Sequence, residues 1–200
     1  YTWKDEDNDG MLDVRHADVD ADGNIYTASY AWQSVSNLAS RQLGVSEDNT
    51  VGKGAKSGKN LIVTKVDKNG QLVWSWELRA VMEGTTGQWH DIAVAPDGTV
   101  HVVGQYKGKG HAWYHKAGDP GRPSVNSGGG QIDGDWKMCC EYPQLNGHVV
   151  TLNPDGTTKW IKRLKSHGFS DIKSVDVNDK GEIAVIKVLC CNLRSNICLN

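Results

Sequence analysis

No basic excess is present in this 200-residue sequence: 22 lysines and arginines stand against 24 aspartates and glutamates, for a net charge of −2 at pH 7. Such a chain offers a phosphate backbone no field to follow, which argues against nucleic acid as a partner. No apolar run approaches the roughly 18 residues that a membrane-spanning helix needs, and no charged-then-apolar leader opens the sequence. Asn-x-Ser/Thr triplets are missing, leaving only the variant Asn196-Ile197-Cys198. No Ser-His-Asp order, phosphate loop or pair of catalytic acids stands out, so catalysis is not the expectation. What is present, 38% hydrophobic residues, suffices for one sizeable soluble domain whose partners are metal, sugar or protein.

Five cysteines are more than a cytosolic scaffold usually carries. Four form adjacent pairs, Cys139 with Cys140 and Cys190 with Cys191, and Cys198 is left over. Clustered thiols point to an oxidising compartment, hence to an extracellular or secreted chain. The opening on Tyr1 rather than Met suits a processed or excerpted chain and the same location. Disulfides are expected either as rings within each adjacent pair or as links between loops, with Cys198 available to a partner; the spacing leaves connectivity open. Zinc is disfavoured. His111, His115, Cys139, Cys140 and His148 lie in or beside a glycine-rich stretch, and adjacent cysteines present two sulfurs poorly to one tetrahedral ion.

The sequence repeats. ADVDADGNIYTAS (17–29), IAVAPDGTVHVVG (92–104) and VDVNDKGEIAVIK (175–187) align with Gly23, Gly98 and Gly181 in register. A second unit, IVTKVDKNGQLVWSWEL (62–78), aligns with HVVTLNPDGTTKWIKRL (148–164), placing Gly70 over Gly156 and Trp74 over Trp160. Each reads as a β-hairpin closed by a polar turn whose glycine supplies the positive φ. Two hairpins make a four-stranded antiparallel unit of the size of a propeller blade. DIAVAPDGTVHVVG followed by VVTLNPDGTTKW resembles the bacterial β-propeller repeat family, over roughly residues 15–188.

That resemblance implies an all-β chain of about two and a half blades, an incomplete ring or one assembled with other copies. Residues 1–14 are then a calcium-binding loop and chain entry. Residues 15–86 form a first blade with insert 31–60, residues 87–166 a second with insert 107–147, and residues 167–200 a partial third with a cysteine-rich tail. Terminal units without a cap expose apolar sheet, so self-association or association with other chains is expected. Trp74 and Trp160, at matched strand positions, are expected to pack between blades.

The opening DEDNDGMLD carries alternate carboxylates at Asp5, Asp7 and Asp9, then Gly10 and Asp13. Such alternation converges on one hard cation, with the Met11 carbonyl and Asp13 completing an oxygen shell. It resembles the calcium loops of integrin-type propeller repeats and departs from the EF-hand, since His16 stands where a glutamate would be. Ca2+ is therefore the expected ion. A second spelling, Asp18, Asp20, Asp22 and Gly23, coincides with the hairpin turn and is read as that turn.

Insert 107–147 carries Trp113, Tyr114, Trp136 and Tyr142, aromatics suited to a sugar ring or a partner pocket, or to a small core that pins the loop. The function expected is a non-enzymatic, calcium-stabilised extracellular module for adhesion or for building a filament or surface structure. The alternatives are a carbohydrate-binding propeller and a fragment of a quinoprotein-like dehydrogenase, whose tryptophan-containing repeats VDKNGQLVWSWEL also resembles.

Overall fold

Five glycines set the turns. Gly23, Gly70, Gly98, Gly156 and Gly181 all take φ between 76° and 88°, in the left-handed region. In each turn the glycine amide donates to the carbonyl three residues back, and that residue's own amide donates across the loop, as Asp20 does to the Asn24 carbonyl at 3.1 Å. Each is a tight hairpin turn closed by a glycine in the left-handed region, one of the common short hairpin connections.

The computed structural model describes residues 12–32, 59–80, 86–107, 110–116, 146–164 and 170–189. The strands are β1 (Leu12–Val19), β2 (Ile25–Trp32), β3 (Lys59–Val66), β4 (Leu72–Ala80), β5 (Thr86–Val94), β6 (Val100–Lys107), β7 (Gly110–Lys116), β8 (Asn146–Leu152), β9 (Thr158–Arg163), β10 (Ser170–Val177) and β11 (Ile183–Leu189). They form three antiparallel sheets, ordered β1-β2-β3-β4-β7, β5-β6-β8-β9 and β10-β11. Among the described residues there is no helix, none long and apolar enough to cross a membrane, and the sheets close no ring.

One strand departs from simple hairpin succession. β7 comes from the stretch read as an insert and runs along the outer edge of β4 in the first sheet, Trp76 opposite Tyr114 and Glu77 opposite Trp113. Pairing there satisfies an edge that would otherwise stand open.

The sheets stack face to face by one rule. β5, the first strand of the second sheet, lies across β1, β2 and β3; β10, the first strand of the third, lies across β5, β6 and β8. Between the first and second sheets sits an apolar cluster that includes Tyr26, Ala28, Leu61, Val63, Trp74, Trp76, Trp89 and Val102. Between the second sheet and β10-β11 lies a smaller one of Ala93, Val103, Val149, Ile172 and Val175. The second sheet is thus covered on both faces, which is why the neighbours Val102 and Val103 are both fully buried although they point to opposite sides.

Tryptophans bind the first stack together. Trp74 Nε1 donates to the Pro154 carbonyl at 3.1 Å and Trp76 Nε1 to Thr158 Oγ1 at 2.9 Å, both reaching from the first sheet to the second. Trp74 also meets Tyr26 edge-on with ring centroids 6.0 Å apart, a contact worth about 1 kcal/mol beyond area burial. Trp160, at the matched position, packs against the second cluster instead. The fold therefore gives the two tryptophans equivalent jobs at successive interfaces.

Candidate functional site

Each first strand carries a β-bulge at the same place. The register of β1 slips between Val14 and His16, that of β5 between Trp89 and Asp91, and that of β10 between Ile172 and Ser174. The extra residues are Arg15, His90 and Lys173, each eight positions before its turn glycine. A bulge lifts one side chain out of the ladder and re-aims it. Here it brings three basic residues to the side of the stack where β1, β5 and β10 follow one another.

Two of them meet Asp171, only 1% exposed. His90 Nε2 stands 3.1 Å from its Oδ1, and Lys173 Nζ pairs with its Oδ2. A carboxylate at that depth is tolerable only with such partners. Burial lowers the His90 pKa below the ordinary histidine value; Asp171 opposes that shift, and the cations of Lys173 and Arg15 reinforce it. Gln88 Nε2 lies 3.3 Å from His90 Nε2 and 3.5 Å from its Nδ1. Arg15 turns instead to Tyr30, donating to its hydroxyl at 3.0 Å with the guanidinium 5.2 Å from the ring centre.

Two further carboxylates join consecutive sheets. Asp18 accepts from its neighbour Val19 N through Oδ1 at 2.8 Å and from Val94 N of the second sheet through Oδ2 at 2.7 Å. Asp91 does the same one junction on: Oδ1 takes Ile92 N at 2.9 Å, while Oδ2 takes Ser174 Oγ at 2.6 Å and Val175 N at 3.0 Å. Charge-assisted bonds of this kind are stronger than neutral ones. Both hold the first strand of one sheet to the first strand of the next.

Asp20 is fully occupied by its own turn. It accepts from Asp22 N, Asn24 N, Asn24 Nδ2 and Tyr26 Oη at 2.8 to 3.0 Å. Burial alone would raise its pKa, but these bonds outweigh burial and hold it below the usual carboxylate value. Asp20 and Asp22 belong to the turn, whereas Asp18 lies in β1 and serves the sheet junction.

Of the residues singled out from the sequence, Asp13 lies in β1 opposite Tyr30, and Trp113 and Tyr114 lie in β7. Tyr114 is half-buried and packs against the first apolar cluster. Asp5, Asp7, Asp9, Met11, Trp136, Tyr142, Cys139, Cys140, Cys190, Cys191 and Cys198 lie outside the described residues. Among the described residues no group of three or more His, Cys, Asp or Glu side chains is arranged to hold a metal ion. His148, weighed above as a zinc ligand, is a buried core residue whose Nδ1 donates to the Asn146 carbonyl at 2.8 Å.

The bulge residues, Asp91 and Asp171 were not singled out from the sequence, and Asp18 was read there as part of the hairpin turn. A signal for them exists: extending the hairpin alignment eight residues upstream of each glycine puts Arg15, His90 and Lys173 in one column. No protein-family model matches the chain, and no curated protein matches its sequence.

Proposed function

We propose that the chain is a non-enzymatic extracellular module of the β-propeller type, built for adhesion or for assembly with copies of itself or other chains. One observation carries the reading: turn, bulge and strand-over-face packing recur from unit to unit, as blades do. The acids and bases on β1, β5 and β10 support a structural role, because Asp18, Asp91 and Asp171 are all engaged in joining strands.

Calcium belongs to the same proposal. Asp5, Asp7, Asp9 and the Met11 carbonyl, which precede β1, would hold the ion together with Asp13 in β1, so binding would fix the entry of that strand. Titration calorimetry with calcium chloride tests this directly. One binding event per chain is expected, abolished in Asp7→Asn/Asp9→Asn. A ligand that binds only the folded state at a hundredfold excess over its Kd stabilises by roughly 2.7 kcal/mol, so chelation should lower the melting temperature by several degrees. Absence of both heat and a melting shift would contradict the calcium assignment.

A further inference from the structure

The stacking rule leaves two faces of the described sheets without a neighbour, and the repeat identifies what each is shaped to receive. Three positions of each hairpin point back toward the preceding sheet. In the second unit they are Trp89, Val94 and Val100, all packed in the cluster between the first and second sheets. In the third they are Ile172, Val177 and Ile183, all packed against the second sheet. In the first unit they are Val14, Val19 and Ile25, which stand exposed, Val19 by 57%.

The opposite face shows the converse. Ala28 of the first unit and Val103 of the second occupy one repeat position, and both are fully buried by the unit that follows. The third unit has Ile186 there, 62% exposed, with Val188 exposed beside it where the first unit buries Tyr30. Asp176 occupies the position of Asp18. Its Oδ1 already takes Val177 N at 2.8 Å, the same bond Asp18 makes to Val19. Its Oδ2 meets no donor among the described residues, whereas Asp18 Oδ2 holds the next unit's Val94 amide.

We infer that the β10-β11 face of one chain receives the β1-β2 face of a second copy, extending head to tail the interface that the chain uses twice within itself. The inference rests on the assembly reading above and names its partner and surface. An interface between unlike faces propagates, closing into a ring if the rotation permits and otherwise forming an open array. Large exposed apolar residues grouped on a sheet face, continuous with an interface of the same construction, are what such a contact requires.

Complementation between single-face variants tests it. Ile186→Arg blocks the trailing face and Ile25→Arg the leading one. Val188→Glu and Val19→Glu form a second pair should either arginine variant fail to show the wild-type circular dichroism and melting profile. Native mass is read by mass photometry and light scattering over a hundredfold concentration range. The wild type should assemble, each variant alone should lose association at least tenfold, and an equimolar mixture of the two should recover a dimer and nothing larger. If wild type and both variants assemble alike, copies associate through another surface: the assembly reading stands and this inference fails. If the mixture does not recover, the faces do not meet each other, and the inference fails again. A wild type monomeric throughout would overturn both, leaving these faces to a further segment of a longer chain or to a different protein.

Discussion

Gly156 and Gly181 share a backbone conformation and differ in what surrounds them, so the pair separates two costs of replacing glycine. A Cβ on Gly181 would meet nothing within 4 Å, and Gly181→Ala should cost about 1 kcal/mol, the left-handed penalty alone. A Cβ on Gly156 would stand 2.5 Å from the Trp74 ring and 2.8 Å from that of Tyr114. Overpacking adds about 1 to 3 kcal/mol, so Gly156→Ala should lower the urea midpoint clearly more than Gly181→Ala, with little change in slope. His148 provides the pH test. Burial pushes its pKa from the ordinary 6.5 down to about 4, with Arg163 adding to the shift and the bond to Asn146 opposing it. The folded state therefore binds fewer protons than the unfolded one below pH 6.5. Stability from this group is complete above pH 6.5 and falls as pH drops toward 4, by about 3 kcal/mol at the lower end. His148→Gln should flatten that limb of a stability-versus-pH curve; an unchanged limb would show that another group is responsible.

Among the elements, the first strands β1, β5 and β10 join successive sheets, and their carboxylate bridges can be removed one at a time. Asp91→Ala would leave Val175 N and Ser174 Oγ without their acceptor at a part-buried junction, a loss of about 1 to 3 kcal/mol. Asp176→Ala removes only an exposed bond to its own neighbour and should change stability by less than about 0.5 kcal/mol in the isolated chain. Amide hydrogen exchange at Val175 should accelerate in the first variant and not in the second. These elements also mark where reading from sequence stops. The turns were legible because a left-handed glycine between polar residues is a local requirement met within about five residues, and the Gly23, Gly98 and Gly181 column states it openly. The bulges were harder, since a register slip at His90 is decided by pairing with β6 and by the Asp171 carboxylate some 80 residues away. β7 was read as part of an insert because nothing in GHAWYHK indicates which sheet edge it will complete; that choice belongs to β4. Tyr114 followed it, half-buried against the first apolar cluster.

At the scale of the whole molecule, the sheets repeat a single relation: each new first strand crosses three strands of the sheet before it. Among the described residues this relation recurs without closing, and the first and last sheets each turn apolar side chains outward, Val14, Val19 and Ile25 on one and Ile186 and Val188 on the other. Repeat arrays gain stability from neighbour contacts, so occupancy of those end faces should raise the stability of the terminal units. Melting temperature should accordingly rise with protein concentration. The calcium binding proposed above would act at the same scale, since fixing the segment ahead of β1 would hold the face of that strand in order.

Native mass, measured with calcium and again after chelation, tests this account most directly. The account predicts particles that are multiples of the 21.9 kDa chain in calcium and that loosen toward the single chain when the ion is removed. A 21.9 kDa particle at every concentration, indifferent to chelation, would contradict it.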